Sequence, residues 1–506
     1  MTDSPSDSGT RVYDLVGIGI GPFNLSLAAL ADGTPELRTL FLDAKPAFSW
    51  HPGLLMAGTT LQVPFLADLV TMVDPTSPWS YLNYLRHHDR MFPFFFSERF
   101  HIPRREYDAY CRWVSGALPS CRFDAYVEEL GWDEARDVFV VTHRSADGTV
   151  TRTLARQVVL GVGTEPVVPE ALRGLIEDGA HTGRVLHSAD YRTHRSRLAA
   201  CDDVTVIGAG QSGAEVALDL LRHQDGDGAG GPYVRWLART NAFAPMEYSK
   251  IGLEHFTPDY IRYFRALPES RREHLVQEQW QLYKGVSEET LAALHDELYE
   301  RTIGGTEPRA ALHPAVDIVA AEAEGSGYVL TCRHIQQDRH FEIRTSAIVS
   351  ATGYAATRPA FLEGERGLRA LVRWDDKGQY RIDGDYRVAL DPRVSGGLYV
   401  QNAELHTHGV GAPDLTLGAW RAATILNAVA GRTVLRVPER AAWTTFGAPR
   451  AEGAEQEPVT AVVPATAVVP SAASAVPAVP AAPPVSAAPA VSAVPAVSAV
   501  SEEKRR

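Results

Sequence analysis

The chain has 506 residues, 45% of them hydrophobic and 22% charged. That composition suits a globular protein of roughly two to four domains at about 100–200 residues each, and excludes a fibrous or wholly disordered chain. A formal net charge of −13 repels phosphate backbones and argues against nucleic-acid binding, though a local basic patch can still hold one small anion.

Met1 to Thr10 is polar and acidic, with neither a basic start nor an apolar core, so no secretory signal is read there and a cytoplasmic protein is expected. The first element is a short apolar strand, Val12 to Val16, running into Gly17-Ile18-Gly19-Ile20-Gly21-Pro22 and an apolar helix from Leu25 to Ala31. Gly17 and Gly19 fill the first two places of a dinucleotide fingerprint and Pro22 the third. Gly17 allows a tight turn, and Gly19 lets the backbone approach a pyrophosphate at the helix N-terminus. The next strand, Leu40 to Leu42, ends in Asp43, at the distance expected for a carboxylate that binds an adenosine ribose.

The run Met91-Phe92-Pro93-Phe94-Phe95-Phe96 reads as core. Gln157 to Gly163 is a further strand ending in glycines. The four cysteines, Cys111, Cys121, Cys201 and Cys332, are too few and scattered for a disulfide framework or zinc site; they read as reduced thiols, and no metal is expected. A complete second fingerprint follows the β-branched strand Val204 to Ile207, with Gly208, Gly210, Gln211, Ser212 and Gly213. The strand after it, Val234 to Leu237, leads to Arg239 rather than an acid, which suits a 2′-phosphate and therefore NADPH. Pro258 to Tyr299 has helical spacing, interrupted at Leu282 to Val286. Ala347 to Tyr354 resembles the Ala-Thr-Gly segment of two-dinucleotide flavoproteins, with Thr352, Gly353 and Tyr354 at the crossing back to a flavin domain. Together these segments predict FAD in the first site and NADPH in the second. Ala461 to Val500 is built of Ala, Val, Pro and Ser, and its recurring prolines preclude a membrane-spanning helix. It is expected to be a low-complexity tail, and no membrane partner is expected.

The most specific stretches are Phe48 to Gly53, Leu61 to Val70, Asp74 to Pro78, Tyr81 to Leu85, Pro103 to Tyr107, Tyr110 to Trp113 and Gln401 to Gly409. With the two glycine turns, they resemble the N-hydroxylating flavin monooxygenases of siderophore biosynthesis, the lysine and ornithine N-monooxygenases and their diamine relatives, over about Tyr13 to Arg432. The resemblance implies an α/β fold with two Rossmann-like dinucleotide-binding domains, for FAD and NADPH, and a small helical substrate domain. The expected segments are 11–165 and 347–450 for the FAD domain, 166–240 and 301–346 for the NADPH domain, 241–300 for the helical insertion and 451–506 for the tail. It implies FAD- and NADPH-dependent N-hydroxylation of a primary amine by O2 through a C4a-hydroperoxyflavin, in a protein that is commonly a homo-oligomer, often a tetramer. By the same resemblance Gln62 lies beside the flavin as the catalytic candidate, Trp50 and His51 pack along the ring, and Asn83 and Tyr354 lie near it.

The chain departs from the family pattern at the substrate. Ala67 stands where lysine and ornithine enzymes carry a lysine for the substrate's α-carboxylate, and Leu253 replaces a second, asparagine contact. An unpaired buried carboxylate costs several kcal/mol, so the expected substrate is an aliphatic diamine such as cadaverine or putrescine. Asp68 or Glu254 is a candidate partner for its remote ammonium, with a salt bridge inside the protein as the alternative for each. The same reaction on L-lysine (N6) or L-ornithine (N5) stays open, since Lys250 lies close in sequence. A flavoprotein disulfide reductase would need a closely spaced cysteine pair, and there is none.

Overall fold

A computed structural model describes residues 11–224, 230–364 and 367–448, so the Pro-rich tail lies outside the described residues. The core of the first domain is a seven-stranded sheet. Its order is Cys121–Arg122, Thr39–Leu42, Val12–Ile18, Val150–Leu160, Val138–Ser145 and Ala125–Asp133, and Gly397–Val400 also pairs with Val150–Leu160. Val150–Leu160 joins two kinds of sheet. Its first half forms an antiparallel ladder with Val138–Ser145, and its second half lies parallel between Val12–Ile18 and Gly397–Val400. Its last three residues, Val158, Val159 and Leu160, are apolar and buried because both faces are covered there.

On one face sit the helices Pro22–Asp32, Arg104–Ala117 and Gly418–Ala430. The first is apolar on nearly every side, as a helix wedged between a sheet and other helices must be.

The second sheet is wholly parallel, in the order Ala310–His313, Tyr233–Leu237, Asp203–Ile207, Ile348–Ser350 and Val185–His187. Its other face is covered by an antiparallel sheet of Val316–Glu324, Gly327–His334 and Arg339–Thr345, which the sequence reading did not anticipate. The strand Ile348–Ser350 corrects one expected boundary. The reading started the return to the first domain at residue 347, but this strand lies inside the second sheet, where the Ala347 carbonyl accepts from Thr205 N–H at 2.9 Å. Two residues after Arg339–Thr345 the chain has no length to leave the domain, so the crossing comes later, at Thr352 and Gly353.

The helical insertion also divides. Pro258–Ala266, capped by the Thr257 hydroxyl, packs with Leu282, Val410 and Phe446. Glu288–Glu300, capped by the Ser287 hydroxyl, instead lays Leu291, Leu294 and Leu298 on the second domain's core. A second correction concerns the phenylalanine run. It forms the helix Met91–Ser97 with no buried residue, and Phe92, Phe95 and Phe96 are 75%, 72% and 72% exposed. A helix this short turns one face inward, and only Phe94 takes it, 5.2 Å from Phe65 and 5.5 Å from Tyr81. Among the described residues no helix is long and apolar enough to cross a membrane.

Candidate active site

The two glycine turns are built alike. In the first, Gly19 has φ +88°, and a Cβ on it would lie 2.4 Å from the Gly161 carbonyl oxygen. A Cβ on Gly17 would meet the Phe41 ring at 2.1 Å. The helix that follows begins with Gly21 as its N-cap and Pro22 in its first turn, and no side chain caps it. Its first N–H groups therefore face a cradle that a side chain would fill, the arrangement that binds a pyrophosphate. Asp43, at the end of Thr39–Leu42, accepts from Ile20 N–H at 2.7 Å and Lys45 N–H at 2.9 Å. It thus pins the glycine turn to the neighbouring strand, and its remaining lone pairs are those that a ribose would use.

In the second turn Gly208 has φ +130°, and its Cβ would fall 2.1 Å from the Ala351 carbonyl oxygen. Gly213 brings the helix Gln211–Leu221 so near the strand that a Cβ would lie 2.3 Å from Gly208 O. Gly210 is the N-cap, again without a side-chain cap, and Ser212 lies half-buried in the first turn. The Gln211 side chain is taken up within the protein, which leaves the first-turn backbone of the fingerprint for the nucleotide. Its Oε1 accepts from Ser287 N–H at 2.7 Å, and its Nε2 donates to Glu215 at 2.8 Å and Thr290 at 2.9 Å, tying this helix to Glu288–Glu300. Arg239 is exposed beyond the strand's C-terminal end and has no ion pair among the described residues. Both cradles fit their dinucleotides.

Between the domains, Thr352 donates to Val167 O at 2.5 Å, Gly353 takes φ +88°, and Tyr354–Ala355 pairs antiparallel with Glu165–Pro166. The Tyr354 ring meets His51 at 5.5 Å and His187 at 5.1 Å, while His51 meets Trp50 at 5.1 Å. These aromatic groups, expected near the ring of the flavin, are therefore brought together at the crossing. Desolvation and the charges of Arg104 and Lys45 push His51 down to about 4, so it is neutral at pH 7. Gln62 is half-buried, its Nε2 enclosed without a hydrogen-bond partner, and its own carbonyl accepts from the Tyr248 hydroxyl at 3.3 Å. A buried amide donor left unpaired is costly and points to a missing ligand.

Other expected residues fall elsewhere. Asn83 donates to Pro78 O at 2.6 Å, closing a local turn. Asp68 is buried and fully engaged: Oδ1 accepts from Val70 and Thr71 N–H, and Oδ2 from the Thr71 hydroxyl and Tyr81 N–H, all within 2.9 Å. Burial raises its pKa against those bonds. Glu254 accepts from Trp443 N–H at 3.1 Å and Thr444 N–H at 2.7 Å, and these bonds hold its pKa below the usual carboxylate range. Asp68 is thus saturated by four bonds from the protein, whereas Glu254 is tied to two backbone amides; both have internal roles, and the partners are amides and a hydroxyl rather than the cations expected for an internal salt bridge. Ala67 is buried, while Leu253 is 38% exposed and Lys250 exposed.

Three features escaped sequence reasoning. Tyr248 had no motif. Arg104 donates to Glu215 at 2.8 Å and to Thr60 O at 3.1 Å, an ion pair that joins the domains across 111 residues. Buried Glu404 and Arg421 pair at 2.9 Å, and Arg421 also donates to Gly411 O and Ala412 O. Arg104 and Glu404 both lie in stretches that carried the resemblance, but nothing in spacing names their partners.

The family model described as L-lysine 6-monooxygenase/L-ornithine 5-monooxygenase matches residues 11–356. The chain is 44% identical over 445 residues to the rhizobactin siderophore biosynthesis protein RhbE of Rhizobium meliloti, covering 87% of this chain and 96% of that one. It is 39% identical to the putrescine N-hydroxylase of Shewanella oneidensis, covering 91% and 89%. Among solved structures, FAD-bound DfoA, the cadaverine monooxygenase of the desferrioxamine pathway in Erwinia amylovora, superposes with a TM-score of 0.82 at 34% identity, covering 87% of this chain and 100% of that one.

Proposed function

The chain belongs to the L-lysine 6-monooxygenase/L-ornithine 5-monooxygenase family, and from that premise we propose that it N-hydroxylates an aliphatic diamine, cadaverine or putrescine, in hydroxamate siderophore synthesis. The single observation that carries the choice of diamine is the pair Ala67 and Leu253, which leaves the pocket without the two groups that would hold an α-carboxylate. Similarity to a putrescine N-hydroxylase and to a cadaverine monooxygenase supports it. Lys250, exposed at the surface, offers no replacement.

FAD and NADPH belong in the two cradles, with Gly17, Gly19, Gly21 and Pro22 holding the first and Gly208, Gly210, Ser212, Gly213 and Arg239 the second. Bound and reduced, the flavin supplies activated oxygen to the amine. The chain's own residues do the rest. Gln62 offers its unpaired Nε2–H as a donor at the reacting end of the pocket. Trp50, Tyr354 and the neutral His51 wall it and exclude water. A free alkylamine has a pKa of about 10.4, so the reacting nitrogen must shed its proton. Desolvation favours the neutral amine, and a neutral His51 adds no positive charge beside it.

A substrate panel tests the reading, scored as hydroxylamine formed per NADPH consumed. The expected result is a kcat/KM for cadaverine or putrescine at least about 100-fold above that for lysine or ornithine, the cost of an uncompensated buried carboxylate. Preference for either amino acid would overturn it.

The proposal extends to a cytoplasmic homo-oligomer. Phe92, Phe95 and Phe96, at 75%, 72% and 72% exposure, form one exposed cluster, with ring centroids 6.3 Å apart for Phe92–Phe96 and 5.4 Å for Phe95–Phe96, and an exposed aromatic cluster of this kind supports association. Light scattering is expected to give a dimer or tetramer, and Phe95→Asp a smaller species; a wild-type monomer would count against association.

A further inference from the structure

With Asp68 and Glu254 both held by backbone amides, the remote ammonium of a diamine lacks an identified counter-ion, and a cation in an apolar pocket needs one. We infer that the Asp414 carboxylate fills this role and sets the specificity of the pocket; the inference rests on the diamine reading above.

Four observations converge on it. Asp414 caps the short turn Leu415–Leu417 through one oxygen, Oδ1, which accepts from Thr416 N–H at 2.7 Å. Like Asp68 and Glu254 it makes no salt bridge among the described residues, but its carboxylate is engaged by Thr416 alone, against four hydrogen bonds on Asp68 and the amides of Trp443 and Thr444 on Glu254. The cation whose charge acts on it, Arg421, is already committed to Glu404 at 2.9 Å, to Gly411 O at 3.1 Å and to Ala412 O at 2.7 Å. Finally, its position is the right one. The turn Gly409–Gly411, three residues earlier, packs against Gly252–Phe256, which carries Leu253. The Asp414 charge also reaches the Tyr248 phenol, the group that donates to Gln62 O at 3.3 Å.

Asp414 therefore follows a turn packed on the segment of Leu253 and lies within electrostatic reach of Tyr248, whose hydroxyl meets Gln62 O. Glu289 acts on the same phenol but is exposed, where water screens it. Burial raises the Asp414 pKa, as expected of a carboxylate short of a cation, and Arg421 counters this only in part. An arriving ammonium supplies the missing charge. An α-carboxylate arriving at the same place meets a like charge, so one residue both attracts the diamine and rejects the amino acid.

The test uses the FAD-loaded full chain and two amines of equal length, cadaverine and n-pentylamine, which differ only in the second ammonium. Asp414→Asn is isosteric and keeps an acceptor for Thr416 N–H. The expected result is that the ratio of kcat/KM for cadaverine over pentylamine falls by about 100-fold, chiefly through KM for cadaverine, with FAD content retained. An unchanged ratio would overturn the assignment, as would an equal loss on both amines, which a merely structural cap would produce. Should the Asn variant emerge without FAD, the same ratio is read from Asp414→Ser, whose hydroxyl still caps the turn. A wild-type enzyme that prefers lysine or ornithine would sink the diamine reading itself. A wild-type preference for diamines with an unaltered ratio in the variants would sink Asp414 alone.

Discussion

Gly19→Ala is expected to purify as a folded chain with flavin affinity reduced at least about 100-fold, seen as loss of the visible flavin absorbance. Two effects add. A left-handed backbone at φ +88° costs a residue with a Cβ about 1–2 kcal/mol, and that Cβ would press on the Gly161 carbonyl at 2.4 Å. The second partner is main chain at the end of Val150–Leu160 and cannot rotate away, so the turn itself must move. Gly208→Ala is the matched control: it has φ +130° and a Cβ 2.1 Å from Ala351 O, but in the other domain. This variant is expected to keep its flavin while its NADPH dissociation constant rises about 100-fold. Loss of both nucleotides in either variant, or of neither in both, would contradict the assignment of one cradle to each.

The largest effect on stability is expected at Glu404. Its carboxylate and the Arg421 guanidinium are 0% and 1% exposed, and the Arg421 guanidinium also lies over Phe23 at 4.5 Å. Glu404→Ala leaves a buried cation unpaired and is expected to cost about 3–5 kcal/mol, lowering the thermal midpoint by several degrees. Removing the charge as well, in Glu404→Leu with Arg421→Met, should recover part of that loss. Recovery stays partial because the bonds from Arg421 to Gly411 O and Ala412 O go too. A double variant no more stable than the single one would mean that the lone charge was never the cost. The effect reaches the site, because Gly418–Ala430 carries Arg421 and packs against Pro22–Asp32, the helix of the first glycine turn.

Much of this was legible from local sequence. The glycine turns, their flanking strands and the strand leading to Arg239 are short-range features, in which a positive φ or a close approach admits one residue type. Motifs around Trp50, Gln62 and Gln401 carried the family. The errors share a different character. Asp68 and Glu254 look alike in sequence to an acid awaiting a ligand, and what occupies them is the amide of Tyr81 in one case and those of Trp443 and Thr444, 189 and 190 residues away, in the other. The phenylalanines of Met91–Ser97 were assigned to the core from hydrophobicity, a property that says what burial would gain and not which face of a seven-residue helix receives it.

The sequence alone thus determined the two nucleotide sites, because they depend on backbone conformations that glycine, proline and β-branched residues encode within a dozen positions, while the chemistry followed from the resemblance of the motifs around Trp50, Gln62 and Gln401 to a known family. Only the tertiary structure decided which sheet holds Ile348–Ser350, which ion pair joins the domains and which carboxylates are already engaged. A carboxylate in a sequence does not specify its own donor. Its partner is whichever amide, guanidinium or ammonium the folded chain brings within about 3 Å.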